Sequence, residues 1–281
     1  MGYPNLKWNS DYTDKKVLKE EIDSMLEVFV EVLLEEIPKS EIEMIYFKGS
    51  AQKKWDSPID YVPELSDINI HLLFSCDSSI KKYLGSTSKA LDVQSKVELR
   101  YFSKIKNPLH IPRPQLMILN LLMKEEDFIP TPKSAVSVLY GKEYPEPDYS
   151  DLERIRAIDC NRILSEEEFI LDFPLLVIDK PSKYLWFSLK SLVWHVSPLC
   201  PRVLHILGTP IDEVWSVNRT RITSMLREKG ESQLAKDYAE FYLFGWKYFL
   251  SNYKDTNAGR SSMIYGINVL RRGIEIAKSS I

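Results

Sequence analysis

Glycine is the residue that most limits what this chain can build, because only ten of its 281 residues are glycine. The ten are spread over the whole length, and no two of them form a Gly-x-Gly pair. Dinucleotide-binding loops and Walker-type phosphate loops need clustered residues that adopt positive φ. The sequence therefore argues against a Rossmann oxidoreductase and against a P-loop NTPase.

Charge and cysteine content narrow the class of protein further. The 37 basic and 40 acidic side chains leave a formal net charge of -3, which gives no strong signal for nucleic-acid binding through bulk charge. The three cysteines lie far apart, so neither a disulfide framework nor a zinc site is expected. The most apolar stretch, 184–200, is interrupted by Lys190 and His195, well short of a membrane span. We expect a cytoplasmic protein that does not associate with membranes.

The first half of the chain mixes helical and strand patterns. Apolar residues at spacings of three and four predict a long helix over 14–37, which Pro38 ends. Short β-prone runs predict strands over 43–47 and 67–74, separated by a polar loop over 51–66.

Two later segments of the first half leave alternatives open. Residues 77–94 indicate helix and turn, and the alternation over 96–102 predicts a strand, with a helix as the alternative. The apolar run 115–123, bounded by prolines, predicts either a buried strand or a short core helix.

The second half shows helical spacing throughout. The stiff, polar segment 144–148 has the composition of a domain boundary. Beyond it we predict helices over 152–164, 183–196, 211–229, 232–252 and 261–278. The aromatic run 238–253 covers most of a helix circumference and indicates a core helix or a homodimer interface. The expected fold is α+β, with a mixed sheet and helices over 1–147 followed by an all-α bundle over 148–281.

A short pattern in the first half suggests chemistry. Gly49 and Ser50 end one predicted strand, and Asp67 and Asn69 begin the next. A Gly-Ser turn lets backbone N–H groups and a hydroxyl approach a phosphate, and side chains at i and i+2 of a strand share one face. On that face they can share a divalent cation, and His71 continues it.

Together these residues resemble the nucleotidyltransferase superfamily, which includes DNA polymerase β and the aminoglycoside and lincosamide nucleotidyltransferases. That family has an apolar strand, Gly followed by Gly or Ser, a loop, and Asp-x-Asp or Asp-x-Glu within a strand, with a third carboxylate on a later strand. The matching stretches are 46–50 and 66–69. The resemblance implies transfer of a nucleoside monophosphate from an NTP to a hydroxyl, with two Mg²⁺ ions held by three carboxylates.

The chain departs from the family pattern at one ligand. Asp67 matches the first carboxylate, but Asn69 stands at the second, and a neutral amide weakens a site built for about three negative charges. If 96–102 is a strand, Glu98 is the candidate for the third carboxylate. Lys53 and Lys54, in the loop after Ser50, are candidates for contact with the triphosphate.

Three functions follow from this pattern. The first is a pseudoenzyme with a degenerate metal site, which binds nucleotide without efficient turnover. The second is an active nucleotidyltransferase acting on a small-molecule hydroxyl. The third is a non-catalytic scaffold that binds a protein or a second copy of itself through its helical half.

Overall fold

The chain forms two compact units, described here from a computed structural model covering residues 4, 6–145 and 147–280. The sheet unit comprises Thr13–Lys53 and Ser66–Pro147. The helical unit comprises Met1–Tyr12, Lys54–Leu65 and Asp148–Ile281. The change of unit at 147/148 coincides with the predicted boundary segment, of which Glu146 lies outside the described residues. Two stretches expected in the first domain, 1–12 and 54–65, group with the helical unit.

The sheet unit begins with a long helix that buries one apolar stripe. The Asp14 side chain caps this helix by accepting the N–H of Lys16, at 2.7 Å. Leu18, Ile22 and Met25 are among its buried side chains. The helices of this unit are α1 (Lys15–Glu36), α2 (Asp77–Leu84), α3 (Thr87–Lys104) and α4 (Leu119–Leu122). Helix α1 packs against α3 and reaches the third strand.

Four strands form one mixed sheet in this unit. They are β1 (Ile42–Lys48), β2 (Ile68–Phe74), β3 (Pro114–Ile118) and β4 (Val136–Gly141), in the order β3-β2-β1-β4. β1 runs antiparallel to both β2 and β4, and β2 runs parallel to β3. The register pairs Tyr46 with His71 and Lys48 with Asn69. Because side chains alternate along a strand, these four residues share one face of the sheet.

The helical unit contains seven helices within its described residues. They are α5 (Leu152–Leu164), α6 (Glu166–Val177), α7 (Leu185–Ile206), α8 (Ile211–Ser216), α9 (Arg219–Glu228), α10 (Ser232–Leu250) and α11 (Thr256–Ser279). Helices α7, α10 and α11 form its centre. The aromatic run predicted on α10 is mostly buried inside this unit, which makes α10 a core helix.

The segment Lys54–Leu65, which we call the buried loop, is part of the core of the helical unit. Trp55 stacks on Tyr61 with ring centroids 4.6 Å apart, and the Trp246 indole N–H donates to the carbonyl of Pro58 at 2.7 Å. The Asp60 carboxylate accepts the backbone N–H and the hydroxyl of Thr220 in the first turn of α9. A polar loop in the sequence is therefore a structural element of the helical unit.

The structure corrects two predicted elements and completes a third. Residues 96–102, predicted as a strand, belong to helix α3, so the alternative assignment is the right one. The segment 211–229 forms two helices, separated by Val217 and Asn218. The run 115–123 contains both of the elements that the sequence allowed, strand β3 followed by the short helix α4. Strand β4 and helix α6 were not predicted.

Candidate functional site

The turn after β1 places Gly49 in a backbone conformation that lets the Asn69 side chain approach it closely. Gly49 has φ +89°, a conformation that favours glycine, and its carbonyl accepts the N–H groups of Gln52 and Lys53. A Cβ atom at this position would lie 2.4 Å from Nδ2 of Asn69. The structure therefore brings together two residues that the sequence proposed for one site, and the absence of a side chain at Gly49 is what makes room for Asn69.

Asp67 is held by an arginine that the sequence analysis did not identify. Arg113 donates from Nε and from an Nη atom to the two carboxylate oxygens of Asp67, at 2.9 and 2.7 Å. The carboxylate is buried, and the guanidinium is about half exposed. The carbonyl of Arg113 also accepts the N–H of Ile68, which fixes its backbone beside the start of β2. Both carboxylate oxygens of Asp67, the first candidate metal ligand, thus accept hydrogen bonds from the guanidinium of Arg113.

The strand next to β2 carries no acid at the corresponding level. β3 runs parallel to β2, and the residue paired with Asn69 is Gln115. Glu98, the predicted third carboxylate, lies on α3 instead, where it is exposed and accepts a hydrogen bond from Gln94 at 2.7 Å. Glu98 was predicted to lie near Asp67 only if residues 96–102 formed a strand. Because these residues are helical, that prediction fails.

A chain of hydrogen bonds runs across the same face of the sheet. Lys48 Nζ donates to the hydroxyl of Thr131 at 3.0 Å, and Thr131 donates to the hydroxyl of Tyr144. The Tyr144 hydroxyl lies 3.2 Å from Nδ1 of His71. With the Tyr144 proton directed at Nδ1, the proton of the neutral imidazole lies on Nε2.

Burial keeps two residues in this series of hydrogen bonds, Lys48 and His71, weakly basic. It lowers the pKa of Lys48 to about 8. Burial, reinforced by the nearby charge of Lys48, lowers the pKa of His71 far below its ordinary value. His71 is therefore neutral at physiological pH.

Two buried polar atoms on β2 have no hydrogen-bond partner within the described part of the chain. They are Oδ1 of Asn69 and Nε2 of His71, two residues apart on the same face. Buried polar groups are satisfied in the great majority of cases, so two unpaired polar atoms on one face indicate a place for a polar ligand or an ordered solvent molecule. We call Lys48, Gly49, Asp67, Asn69 and His71 the strand-end cluster.

The two predicted phosphate-contacting lysines lie in different units of the chain. Lys53 belongs to the sheet unit, where its carbonyl accepts Lys19 Nζ at 3.3 Å. Lys54 belongs to the helical unit, and its exposed ammonium pairs with Asp56 at 2.7 Å. Lys48, the residue before Gly49, was missed by the sequence analysis, although its position next to the turn was the available signal.

Comparisons with protein families, curated proteins and solved structures find no match to this chain in any of the three. Over residues 4, 6–145 and 147–280, no three histidine, cysteine, aspartate or glutamate side chains come together in a way that could hold a metal ion. Within the same residues, no helix combines the length and the apolarity needed to span a membrane.

Proposed function

We propose that the sheet unit is a nucleotidyltransferase-like domain with a degenerate metal site, which binds a nucleoside triphosphate through its phosphates without transferring the nucleotide. The observation that carries the proposal is the contact between the Gly49 turn and Asn69, beside the pair formed by Asp67 and Arg113. The family resemblance concerns three of these positions, Gly49, Asp67 and Asn69.

The donors around the strand-end cluster favour an anionic ligand. Lys48 supplies an ammonium group, and His71 supplies a buried Nε2 without a partner among the described residues, which carries the imidazole proton when Tyr144 donates to Nδ1. Oxygen atoms of a phosphate accept hydrogen bonds from both of these groups. A phosphate bound here satisfies the His71 donor and needs no glycine-rich loop.

The charges around Asp67 argue against two-metal catalysis. Two Mg²⁺ ions need several oxygen ligands with a combined negative charge, whereas this cluster offers one carboxylate and one amide. Arg113 already neutralises that carboxylate with two hydrogen bonds. The residues present do not fit a two-magnesium site, and we therefore propose binding that does not depend on Mg²⁺.

Calorimetric titration of the full chain with ATP, CTP, GTP and UTP, each with and without Mg²⁺, tests the proposal. We expect at least one nucleotide to bind, with an affinity that Mg²⁺ does not raise. Lys48→Met should weaken it by about tenfold, the equivalent of one lost charge-assisted hydrogen bond. Lys142→Met is the matched control, because Lys142 is exposed and pairs with Glu43.

The same experiment separates the alternatives. If none of the four nucleotides produces heat on titration, the proposal of nucleotide binding is wrong. The non-catalytic scaffold is then the remaining function. Pyrophosphate release in the presence of a hydroxyl acceptor and Mg²⁺ contradicts the degenerate site and favours an active nucleotidyltransferase.

A further inference from the structure

A surface pocket of about 340 Å³ is lined by residues of the helical unit. Its volume is within the range of small-molecule sites, roughly 300–1,000 Å³. Four of its six lining residues are aromatic. We call it the aromatic pocket, and its lining residues are Glu64, Lys183, Tyr184, Trp186, Phe187 and Tyr253.

The backbone around this pocket is strained. Four non-glycine residues of the described chain have positive φ, namely Glu64, Ser182, Asn252 and Tyr253. Two of them line the pocket, and the other two directly precede lining residues. A non-glycine residue in this conformation persists only where its surroundings enforce it. All the non-glycine residues with positive φ in the described backbone thus lie in this pocket or directly next to it.

Four hydrogen bonds, all buried or partly buried, hold this backbone geometry. Lys190 Nζ donates to the carbonyl oxygens of Glu64 and Leu65, at 2.8 and 3.0 Å. The Tyr248 hydroxyl donates to the carbonyl of Ser182 at 3.1 Å. The Tyr253 hydroxyl donates to the carboxylate of Glu64, which joins two strained residues across the pocket. The shape of the pocket is therefore fixed in advance.

The polar groups of the pocket define what it can accept. The indole N–H of Trp186 is buried and has no acceptor within the described residues, while the exposed ammonium of Lys183 lies 5.5 Å from the centroid of the Tyr184 ring. Tyr184 and Phe187 are 48% and 58% exposed, so ring faces remain open to a ligand. Glu64 already accepts the hydroxyl of Tyr253. Among the described residues, the pocket therefore offers the unpaired N–H of Trp186, the exposed ammonium of Lys183 and the open faces of its rings.

We propose that the aromatic pocket binds a flat aromatic carboxylate. Its ring system lies against Tyr184 and Phe187, where offset or edge-to-face ring contacts are favourable. Its carboxylate accepts the N–H of Trp186 and faces the ammonium of Lys183. This site is independent of the nucleotide site proposed for the sheet unit.

Titration of the full chain with 2-naphthoate and with 2-naphthalenemethanol tests the site, because the two probes share a ring system and differ in charge. We expect naphthoate to bind about tenfold more tightly than the alcohol, as one charge-assisted contact would give. Lys183→Gln should abolish this difference while the alcohol still binds. Trp186→Phe, which keeps an aromatic ring and removes the N–H, should weaken naphthoate binding by about tenfold.

Trp194→Phe is the matched control, since Trp194 lies on the same helix α7, is half exposed and does not line the pocket. Circular dichroism melting of each variant checks that it is folded. The proposal is wrong if neither probe binds the wild-type chain at millimolar concentration. It is equally wrong if folded Trp186→Phe binds naphthoate as tightly as the wild type, or if Trp194→Phe weakens it to the same extent.

Discussion

At the scale of single residues, the ion pair between Asp67 and Arg113 decides how the family resemblance should be interpreted. In a metal-dependent site a buried carboxylate is balanced by cations from solution, and here the guanidinium of the chain provides that balance. The sequence pointed to Asp67 and Asn69 because the pattern is local. It could not point to Arg113, which is 46 residues from Asp67 and comes beside it only through the parallel pairing of β2 and β3.

The contact between Gly49 and Asn69 predicts a cost for any side chain in the turn. Gly49→Ala should lower the free energy of unfolding by roughly 2–3 kcal/mol, from the positive φ and from the clash of the new Cβ with Asn69 Nδ2. Urea unfolding followed by circular dichroism measures the loss.

A double-mutant cycle with Asn69→Ala isolates the clash, because the shortened side chain leaves room for the new Cβ. In the Asn69→Ala background Gly49→Ala should cost only the roughly 1 kcal/mol of the backbone conformation. Gly208, with φ +87° and open space around it, offers an independent measure of that conformational cost. Equal losses in the two backgrounds would contradict the contact.

The lowered pKa of Lys48 predicts a rise in stability at alkaline pH. Its pKa is about 8 in the folded chain and about 10.5 unfolded, so between these values the unfolded state binds more protons and the free energy of unfolding increases with pH. The penalty for burying the charge is fully present below about pH 8. We expect Lys48→Met to be more stable relative to the wild type at about pH 7 than at about pH 10, by on the order of 2 kcal/mol.

Comparing the two proteins at both pH values is essential, because Lys19 also has its pKa lowered by burial to about 8 and titrates in the same window. The Lys19 contribution is common to both proteins and cancels. A stability difference that does not change with pH would show that Lys48 keeps an ordinary pKa.

At the scale of elements, α3 shows why an alternating pattern misled the sequence analysis. Lys96, Arg100 and Lys104 are four residues apart, which places them on one helix face opposite Glu36, Glu35 and Glu27 of α1. The buried residues Val97 and Tyr101 follow the same spacing, while Leu99 is 70% exposed. Over seven residues a period of two and a period of about four coincide, and only the packing against α1 distinguishes them.

Substitutions along α3 separate helix from strand. On a helix, Tyr101→Ala should destabilise the chain by about 3–5 kcal/mol and Val97→Ala by about 1–3 kcal/mol, through lost burial. Leu99→Ala should change stability by less than about 0.5 kcal/mol. A strand would bury Leu99 together with the other two, so a large loss for Leu99→Ala in urea unfolding would contradict the helix.

Helix α11 uses glycine for packing, which composition alone did not reveal. Gly259, Gly266 and Gly273 are spaced by seven residues, and a Cβ on each would meet a side chain of α10 or α7. At Gly266 the nearest atoms are Leu192 Cδ2 at 2.6 Å and the Phe241 ring at 3.0 Å. The scarce glycines therefore serve turns and close helix contacts.

Gly266→Ala should accordingly destabilise the helical unit by about 1–2 kcal/mol, because overpacking outweighs the gain in helix propensity of about 1 kcal/mol. All six tryptophans lie in this unit, so their fluorescence follows its unfolding. Gly259→Ala is the milder control, since the Tyr248 ring is 3.3 Å from the added atom. An increase in stability for Gly266→Ala would mean that α11 does not approach its neighbours this closely.

At the scale of the whole molecule, the chain passes between its two units four times. The composition change near 144–148 indicated one of these passages, and the helical character of the second half indicated the class of that unit. Nothing local marked the buried loop, because one lysine and three acids give its twelve residues the composition of a surface segment. Its apolar residues Trp55, Ile59 and Tyr61 are buried, and the loop is held by contacts with Thr220 and Trp246, which lie 160 and 188 residues from their partners in the loop.

The Asp60 carboxylate predicts how strongly this loop is held. It accepts four hydrogen bonds, from the N–H groups of Asp56, Ser57 and Thr220 and from the Thr220 hydroxyl. Asp60→Ala should cost about 3–5 kcal/mol, because it leaves these donors without an acceptor inside the unit. Asp56→Ala, at an exposed position of the same loop, should cost about 1 kcal/mol or less. Urea unfolding followed by tryptophan fluorescence compares the two, and equal losses would contradict an anchoring role for Asp60.

The buried loop also imposes an order of events during protein synthesis. Pro58 and Trp246 are 188 residues apart, so at about 5–20 residues per second the loop leaves the ribosome on the order of ten seconds or more before its partner is made. The sheet unit can complete its own hydrogen bonds by residue 147, with the loop extending from it as an apolar segment. The helical unit closes around that segment only when the last two helices emerge. During this delay the apolar side chains of the loop lack the contacts that bury them in the folded unit, which favours aggregation and proteolysis of the nascent chain.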